Sequence, residues 1–381
     1  MPYKTLQFSK MLFLKYFFQI IIFLLITVSV TKAQKKLNNI LPVRAFCISA
    51  PRPQNVDRFV KFITEELPLN NINTLILRVD YNYQFKTHPE LSDSIALSIA
   101  DVKKMVAACK QLKIQLIPQI NLLGHQSWVG TTGNLLKKYP QFDETPLVKL
   151  PVLYVWPNPD SLYCKSYCPL HPDVHPIIFS VIDEICAAFE STTFHAGMDE
   201  VFYLGDNKCP RCATKDKAVL FAGEVNNIQK HLTQNNIQLM IWGDRLIDGR
   251  TTGVGEWEGS YNNTAAAINL ISKKVIICDW HYDKAEKTAI YFADNGFKVI
   301  SCIWKNSAVA IAQTKQIMSF RNKATAASKF LYRGIMQTVW TNTTAFLDEY
   351  YALKAGTIID ENTENSSFKS MVNTIAEIKA H

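Results

Sequence analysis

The segment that decides the fold runs from "NTLILRVD" (73–80) to "IQLIPQIN" (114–121). Near-continuous Val, Ile and Leu over so few residues is typical of strands that are buried on both faces of a parallel sheet. Between the two runs, "SIADVKKMVAACKQLK" (98–113) repeats its apolar residues at helical spacing. The segment therefore predicts a strand–helix–strand unit.

The same alternation extends over most of the chain, because six further apolar runs are each followed by polar or turn residues and then by a helical pattern. These runs are "VRAFCIS" (43–49), "TFHAGMDE" (193–200), "QLMIWGD" (238–244), "KVIICDW" (274–280), "KVISCIW" (298–304) and "GIMQTVW" (334–340). Eight such units in one chain predict a single (β/α)8 barrel, a TIM barrel, over residues 34–381. A doubly wound open sheet is the alternative.

Residues 1–33 have the features of a signal peptide. Lysines flank the apolar run "YFFQIIIFLLITVSV" (16–30), which is too short to span a bilayer comfortably. Small residues then occupy the positions that a signal peptidase reads, at Thr31 and Ala33. An uncleaved membrane anchor is the alternative. We therefore expect export to the periplasm or the medium, with no stable membrane insertion after cleavage.

The net charge argues against nucleic acid as a partner. The formal charge is +8, and residues 1–33 contribute four lysines and no acid, so the mature chain is near +8 − 4 = +4. The basic residues form no continuous stripe, which a nucleic-acid-binding surface would require.

A barrel of this kind carries its active site at the carboxyl ends of its strands. Four of the seven tryptophans fall at predicted strand ends, together with several acids and histidines. The side chains expected at this mouth are Asp80, His125, His195, Asp199, Glu200, Trp242, Asp244, Trp280, His281, Tyr282, Asp283, Trp304, Trp340 and Asn342. Aromatic walls with a few carboxylates are typical of a sugar pocket, so we expect a carbohydrate partner.

Asp199 and Glu200 are the candidate catalytic pair. Most glycoside hydrolases place two carboxyl groups on opposite sides of the scissile bond, and adjacent residues are poorly placed for this. They suit the substrate-assisted exception, in which a 2-acetamido oxygen attacks the anomeric carbon. The alternative is a solvated acidic pair at a strand end.

Several segments resemble family 20 glycoside hydrolases, the β-N-acetylhexosaminidases. "FHAGMDEV" (194–201) is similar to the H-x-G-G-D-E signature of that family. The other similar segments, in chain order, are "RAFCISAPR" (44–52), "LPLNNINTLILRVD" (67–80), "LIPQINLLGHQSW" (116–128), "MIWGD" (240–244) and "GIMQTVW" (334–340). The resemblance implies a catalytic domain that removes terminal β-linked N-acetylhexosamine with retention and needs no cofactor for catalysis.

The resemblance also implies roles for individual residues. Glu200 would be the general acid and then the base, while Asp199 would hold the acetamido nitrogen. Arg44 would bind sugar hydroxyls. The tryptophans that would wall the sugar site are Trp242, Trp280 and Trp340, and the histidines that would support the carboxylates are His125 and His195.

The chain departs from the family pattern at three positions, Met198, His281 and Asn342. Met198 replaces the second glycine of the signature and is expected to narrow the room beside the acids. His281 stands where the family has a tyrosine, with Tyr282 next to it. Asp283 matches an aspartate of the family, or it caps the following helix, and Asn342 replaces a glutamate.

Two other functions stay open, the first of them because of these departures. One is a carbohydrate-binding barrel that has lost turnover. The other is a metal-dependent hydrolase that uses Asp80, His125, His195 and Asp244 as ligands. Its case is thin, because strand one carries no histidine pair.

The nine cysteines fall into two groups. Five lie in apolar runs, as small buried hydrophobic residues do. The pairs Cys164–Cys168 and Cys209–Cys212 follow strands three and four, and their spacing suits a structural zinc ion. Disulfides are the alternative in an oxidising compartment.

Overall fold

The structure is a computed structural model and describes residues 34–128, 130–150 and 164–380. The predicted signal peptide lies outside these residues. Within the part of the chain that is described, no helix is both long and apolar enough to cross a bilayer.

Eight parallel strands close into a barrel. They are β1 (Val43–Ser49), β2 (Thr74–Arg78), β3 (Gln115–Leu122), β4 (Thr193–Gly197), β5 (Gln238–Trp242), β6 (Ile276–Trp280), β7 (Lys298–Ile303) and β8 (Tyr332–Thr338). Neighbours in sequence are neighbours in the barrel, and β1 pairs with both β2 and β8. Because the sheet has no free edge, the predicted barrel is confirmed and the open sheet is excluded.

Helices surround the barrel. The longer ones are α1 (Val56–Glu65), α2 (Ile99–Gln111), α3 (Val174–Ala188), α4 (Lys217–Gln234), α5 (Thr288–Asp294), α6 (Ser307–Lys323), α7 (Thr343–Lys354) and α8 (Glu364–Ala380). A capping box between Ser98 and Asp101 fixes the start of α2, each side chain accepting from the other residue's backbone N–H. The connection from β5 to β6 contains only short helical turns.

The strand period of two divides the core into an inner and an outer layer. Small and sulfur-containing side chains fill the bore, while larger aliphatic and phenylalanine side chains pack between the strands and the helices. The bore residues include Ala45, Cys47, Ile76, Ile117, Met240, Cys278, Ile300, Cys302 and Met336. The bore is therefore filled below the mouth, which leaves a blind site and not a channel.

Two connections matter for the site. The long segment after β3 folds back as a hairpin (Ser127–Trp128 with Thr131–Thr132) and a short helix (Asn134–Lys138). After β6, α5 begins at Thr288 with Lys287 as its N-cap. Asp283 lies exposed in the preceding loop, so the prediction that it caps this helix is wrong.

Candidate active site

The carboxylate pair lies on a strained turn at the end of β4. Gly197, Met198 and Glu200 all have left-handed backbones, with φ of 66°, 67° and 49°. A Cβ at Gly197 would collide with the Asn121 side chain, so only glycine fits there. Clustered strain of this kind is typical of functional sites, where the surrounding structure holds unfavourable backbone in place. Here it turns Asp199 and Glu200 out of the strand and toward the mouth.

Met198 keeps the left-handed backbone that a glycine would adopt more easily, at a cost of about 1–3 kcal/mol. Its side chain is 1% exposed and packs in the layer between the barrel and its helices. The expectation that Met198 narrows the room beside the acids is therefore wrong, because its side chain leaves the mouth.

His125 lies between the two acids. Its Nδ1 is 3.5 Å from Asp199 Oδ1, and its Nε2 is 3.4 Å from Glu200 Oε2. Burial disfavours the imidazolium, but Cys164 and the two carboxylates raise the pKa of His125 well above its ordinary value. Trp128, from the hairpin after β3, lies over His125 with ring centroids 6.4 Å apart. The imidazole of His125 thus separates the two acidic side chains.

Asp199 is the most unusual acid of the site. The residue is 7% exposed, and its Oδ1 is buried without a hydrogen-bond partner among the described residues. The contact to His125, at 3.5 Å, is longer than a normal hydrogen bond. Burial, followed by repulsion from Glu200 and Asp244, raises the pKa of Asp199 to about 6 despite attraction to His125. A buried acceptor of this kind is suited to an N–H donor of a ligand.

Asp244 positions other groups of the site and does not face the mouth. Its Oδ2 accepts from Arg245 Nε (2.6 Å) and from the backbone N–H of Glu200 (2.9 Å). Its Oδ1 accepts from Trp280 Nε1 at 3.2 Å. The carboxylate is 2% exposed and both oxygens are occupied, so the predicted contact with substrate is wrong. Asp244 instead fixes the turn at Glu200 and the indole of Trp280.

Four tryptophans and one tyrosine form a continuous aromatic wall. Trp242 forms the floor, with its ring 5.9 Å from that of Trp340. Tyr282 packs between Trp280 (4.9 Å) and Trp304 (5.4 Å). The structure therefore brings together the four tryptophans that the sequence places at strand ends, and their binding role stays a prediction.

Tyr282, and not His281, faces this wall. His281 is 1% exposed and is bound by Glu258 (2.6 Å), Asp279 (3.1 Å) and Thr288 (2.6 Å). Burial lowers its pKa, but Asp279 and Glu258 more than compensate and raise the pKa to about 9. The prediction that His281 binds substrate is wrong, because this imidazole points outward against α5.

The hydroxyl of Tyr282 lies at the centre of the wall. It accepts from Trp340 Nε1 at 2.9 Å, and Thr338 Oγ1 lies 3.3 Å away. Thr338 is also well placed to donate to the Ile303 carbonyl at 2.7 Å. Because Thr338 gives its one hydrogen to Ile303, the phenolic hydrogen of Tyr282 can go to Thr338 Oγ1 or to the acceptor of a ligand.

Arg78, and not Arg44, lies at the mouth of the barrel. Arg44 is the second residue of β1, at the far end of the barrel from the mouth. Its guanidinium donates to the carbonyls of Leu41 and Asn71, both at 2.6 Å. The prediction that Arg44 binds sugar hydroxyls is therefore wrong.

Arg78 ends β2 at the mouth and was missed by the sequence argument. Its guanidinium lies 4.5 Å from the ring centre of Trp340 and donates to the Val339 carbonyl at 2.8 Å. Its Nε is buried without a partner among the described residues. Asp80, two residues later, accepts from the backbone N–H of Asn121 at 2.8 Å, and burial raises its pKa.

Glu364 is a second residue that the sequence argument missed. It begins α8, yet its carboxylate accepts from Trp304 Nε1 (2.7 Å) and from the backbone N–H of Trp340 (2.6 Å). Thr341 donates to it as well. Asn342 is exposed and caps α7 by accepting from Ala345 at 2.9 Å, so its predicted contact with substrate is not supported.

The ligand set of a metal-dependent hydrolase does not form among the described residues. His195 is buried beside Trp242, and its Nδ1 accepts from Gly197 at 3.0 Å. Asp244 is occupied as described above. A different group comes together at this mouth. One possible ligand atom from each of His125, Asp199 and Glu200 lies within 4.8 Å of the others.

The cysteine pairs are not brought together as one set of four. Cys168, Cys209 and Cys212 lie close to one another. Cys164 instead lies beside His125. Burial raises the pKa of the Cys164 thiol, and the neighbouring His125 lowers it by a smaller amount. The prediction of four cysteine ligands is therefore wrong, because Cys164 lies apart from the other three.

The sequence profile of the catalytic domain of glycosyl hydrolase family 20 matches residues 70–352. The chain belongs to this family. The match includes the carboxylate pair, His125, Arg78 and the aromatic wall, but it ends before Glu364.

Similar curated proteins are longer. The chain is 24% identical over 229 residues to beta-hexosaminidase subunit A2 of Dictyostelium discoideum, covering 54% of this chain and 38% of that protein. It is 27% identical over 176 residues to a beta-hexosaminidase of Porphyromonas gingivalis, covering 44% and 21%. The chain thus spans less than half the length of these relatives.

Two solved structures share the fold. The β-N-acetylhexosaminidase from Bacteroides fragilis has a TM-score of 0.60 at 16% identity, over 87% of this chain and 66% of that chain. The chitobiase of Flavobacterium johnsoniae has a TM-score of 0.58 at 16% identity, over 88% and 52%.

Proposed function

We propose that this protein is an exported glycoside hydrolase that removes terminal β-linked N-acetylhexosamine by a substrate-assisted, retaining mechanism. The observation that carries the proposal is the buried Oδ1 of Asp199, which lacks a hydrogen-bond partner among the described residues and lies beside Glu200. Membership of family 20 and the similarity to beta-hexosaminidases support the same reaction. Export is proposed from the sequence of residues 1–33 alone.

In the first step, the acetamido oxygen of the substrate attacks the anomeric carbon as the glycosidic C–O bond breaks. Glu200 gives its proton to the leaving oxygen, and Asp199 accepts the acetamido N–H and stabilises the cationic oxazolinium-like intermediate. In the second step, water attacks the anomeric carbon from the side that the leaving group vacated. Glu200 takes the proton of that water, the acetamide is restored, and the product keeps the β configuration.

The surrounding groups support this sequence of steps. The phenolic hydroxyl of Tyr282 can donate to the acetamido oxygen, and the buried Nε of Arg78 can donate to a sugar hydroxyl. The filled bore beneath Trp242 makes the pocket blind, which suits a single terminal sugar and therefore exo action.

The alternative is a sugar-binding barrel without turnover. It rests on three departures from the family sequence, and the structure gives each of them an explanation that does not require loss of activity. The side chain of Met198 leaves the mouth, Tyr282 takes the place expected of residue 281, and Asn342 caps a helix. These placements favour the enzyme.

The test is hydrolysis of aryl β-N-acetylglucosaminide and β-N-acetylgalactosaminide by the wild type and by Glu200→Gln, with an aryl β-glucoside as control. We expect turnover of an acetamido sugar only, and its loss in the variant. Turnover of the plain glucoside would contradict the mechanism. Binding of a thiazoline analogue without any turnover would favour the sugar-binding barrel.

A further inference from the structure

Three cysteines form a buried cluster beside the active site, here called the thiol cluster: Cys168, Cys209 and Cys212. Cys168 belongs to the long connection after β3, and the other two belong to the connection that follows Glu200. Their exposed fractions are 1%, 1% and 0%. All nine cysteines are free and buried. In the described part of the chain, the sulfur atoms of these three cysteines all lie within 4.8 Å of one another.

The sulfur atoms surround a common point. Cys168 Sγ is 3.1 Å from Cys212 Sγ and 3.6 Å from Cys209 Sγ. Tetrahedral zinc with bonds of about 2.3 Å separates its thiolate ligands by about 3.7 Å. A small outward movement of one sulfur atom would therefore open the cluster to the size that an ion needs.

The backbone around Cys209 has the form of a metal knuckle. The backbone N–H of Cys212 donates to Cys209 Sγ at 3.2 Å. The turn is closed on both sides, since Cys209 donates to the Asp206 carbonyl (2.9 Å) and Ala213 donates to the Cys209 carbonyl (3.1 Å). Because the N–H to sulfur bond favours a thiolate, this turn is prepared for the charged form that binds metal.

A buried carboxyl group, that of Glu144, lies near enough to the thiol cluster to interact electrostatically with Cys168 and Cys212. Glu144 is 0% exposed, its Oε1 accepts from Gly205 and Asp206, and its Oε2 is buried without a partner among the described residues. An acidic oxygen that is buried and unpaired costs free energy unless a cation or donor meets it. A cation in the thiol cluster would lower this cost.

We propose that Cys168, Cys209 and Cys212 bind one structural zinc ion and that an oxygen donor fills the fourth tetrahedral position. Binding turns three thiols into thiolates and releases three protons. The ion would tie the connection after β3, which carries His125, to the connection that begins at Glu200. It would act by holding these two connections together and would take no part in the reaction.

The first measurement is metal content of the whole purified protein after incubation with zinc and desalting. We expect about one zinc ion per chain, and less than about a tenth of that in Cys209→Ser. Cys186→Ser is the matched control, because Cys186 is also buried and free but lies on α3 outside the cluster. That variant should keep its zinc.

The second measurement uses only the wild type, so it tests the zinc site even if Cys209→Ser fails to fold. Removal of metal with a chelator under reducing conditions should lower the thermal midpoint, and added zinc should restore it. Cobalt in place of zinc should give the absorption of thiolate-to-cobalt charge transfer.

One result would overturn the proposal. If the reduced, zinc-treated protein holds no metal and cobalt gives no thiolate absorption, the cluster is not a metal site. A Cys168–Cys212 disulfide, found by mass spectrometry in protein that was never reduced and that rebinds no zinc after reduction, would give the alternative account.

Discussion

Replacing the buried Asp199 with Asn should stabilise the fold at neutral pH. The pKa of Asp199 rises from 3.8 to about 6, and burial is the largest cause. Each pH unit is worth about 1.4 kcal/mol, so keeping this carboxylate ionised in the folded protein costs about 3 kcal/mol. Asp199→Asn removes the charge while nearly conserving size, so we expect a gain of about 1–3 kcal/mol.

The sign of this effect depends on pH. Between about pH 4 and pH 6 the folded protein binds a proton at Asp199 more tightly than the unfolded chain does. The carboxyl therefore favours the fold at acid pH, and that contribution is lost as the pH rises through about 6. Asp199→Asn should consequently be more stable than the wild type near pH 7.5 and nearly equal to it near pH 4.

The assay is urea unfolding of both proteins at the two pH values, compared through the free energy of unfolding. Asp283→Asn is the control, because Asp283 is an exposed acid near the same mouth and should show no pH-dependent gain. A variant that is no more stable than the wild type at neutral pH would refute the reasoning. An equal gain at both pH values would refute it too.

Three further predictions concern activity. Because Asp199 must be ionised to hold the acetamido nitrogen, kcat/KM should fall below about pH 6, and a profile that stays flat to pH 5 would contradict this. Tyr282→Phe removes a donor to the developing charge and should lower kcat about 10²-fold with little change in the thermal midpoint, whereas unchanged kcat would remove Tyr282 from the site. Arg78→Lys should raise KM about tenfold, while Arg44→Lys should lower the thermal midpoint and leave KM unchanged. A raised KM in Arg44→Lys with an unchanged KM in Arg78→Lys would instead indicate that Arg44 binds the sugar.

The barrel could be predicted because eight short apolar runs alternate with helical patterns, and each run contains a strand. The carboxylate pair could be predicted because it follows one of these strands directly. The same strand periodicity would have separated Tyr282 from His281. Trp280 packs toward the bore, so residue 282 shares its side and residue 281 does not.

Arg44 was misplaced because motif similarity gives a residue type and not its position along a strand. It lies near the start of β1, and a seven-residue strand spans about 20 Å. Glu364 could not be found from local sequence at all. It reaches Trp304 from a helix that starts 60 residues later, so only tertiary packing brings the two together.

The central claim is that the substrate supplies its own nucleophile, and a series of aryl β-glycosides tests it most directly. The 2-acetamido group would be replaced stepwise by its mono-, di- and trifluoroacetyl analogues, and kcat/KM would be measured for each. Fluorine withdraws electrons from the amide oxygen, so the account predicts a steep fall in rate with each fluorine. A rate that is indifferent to fluorination would show that another group attacks the anomeric carbon.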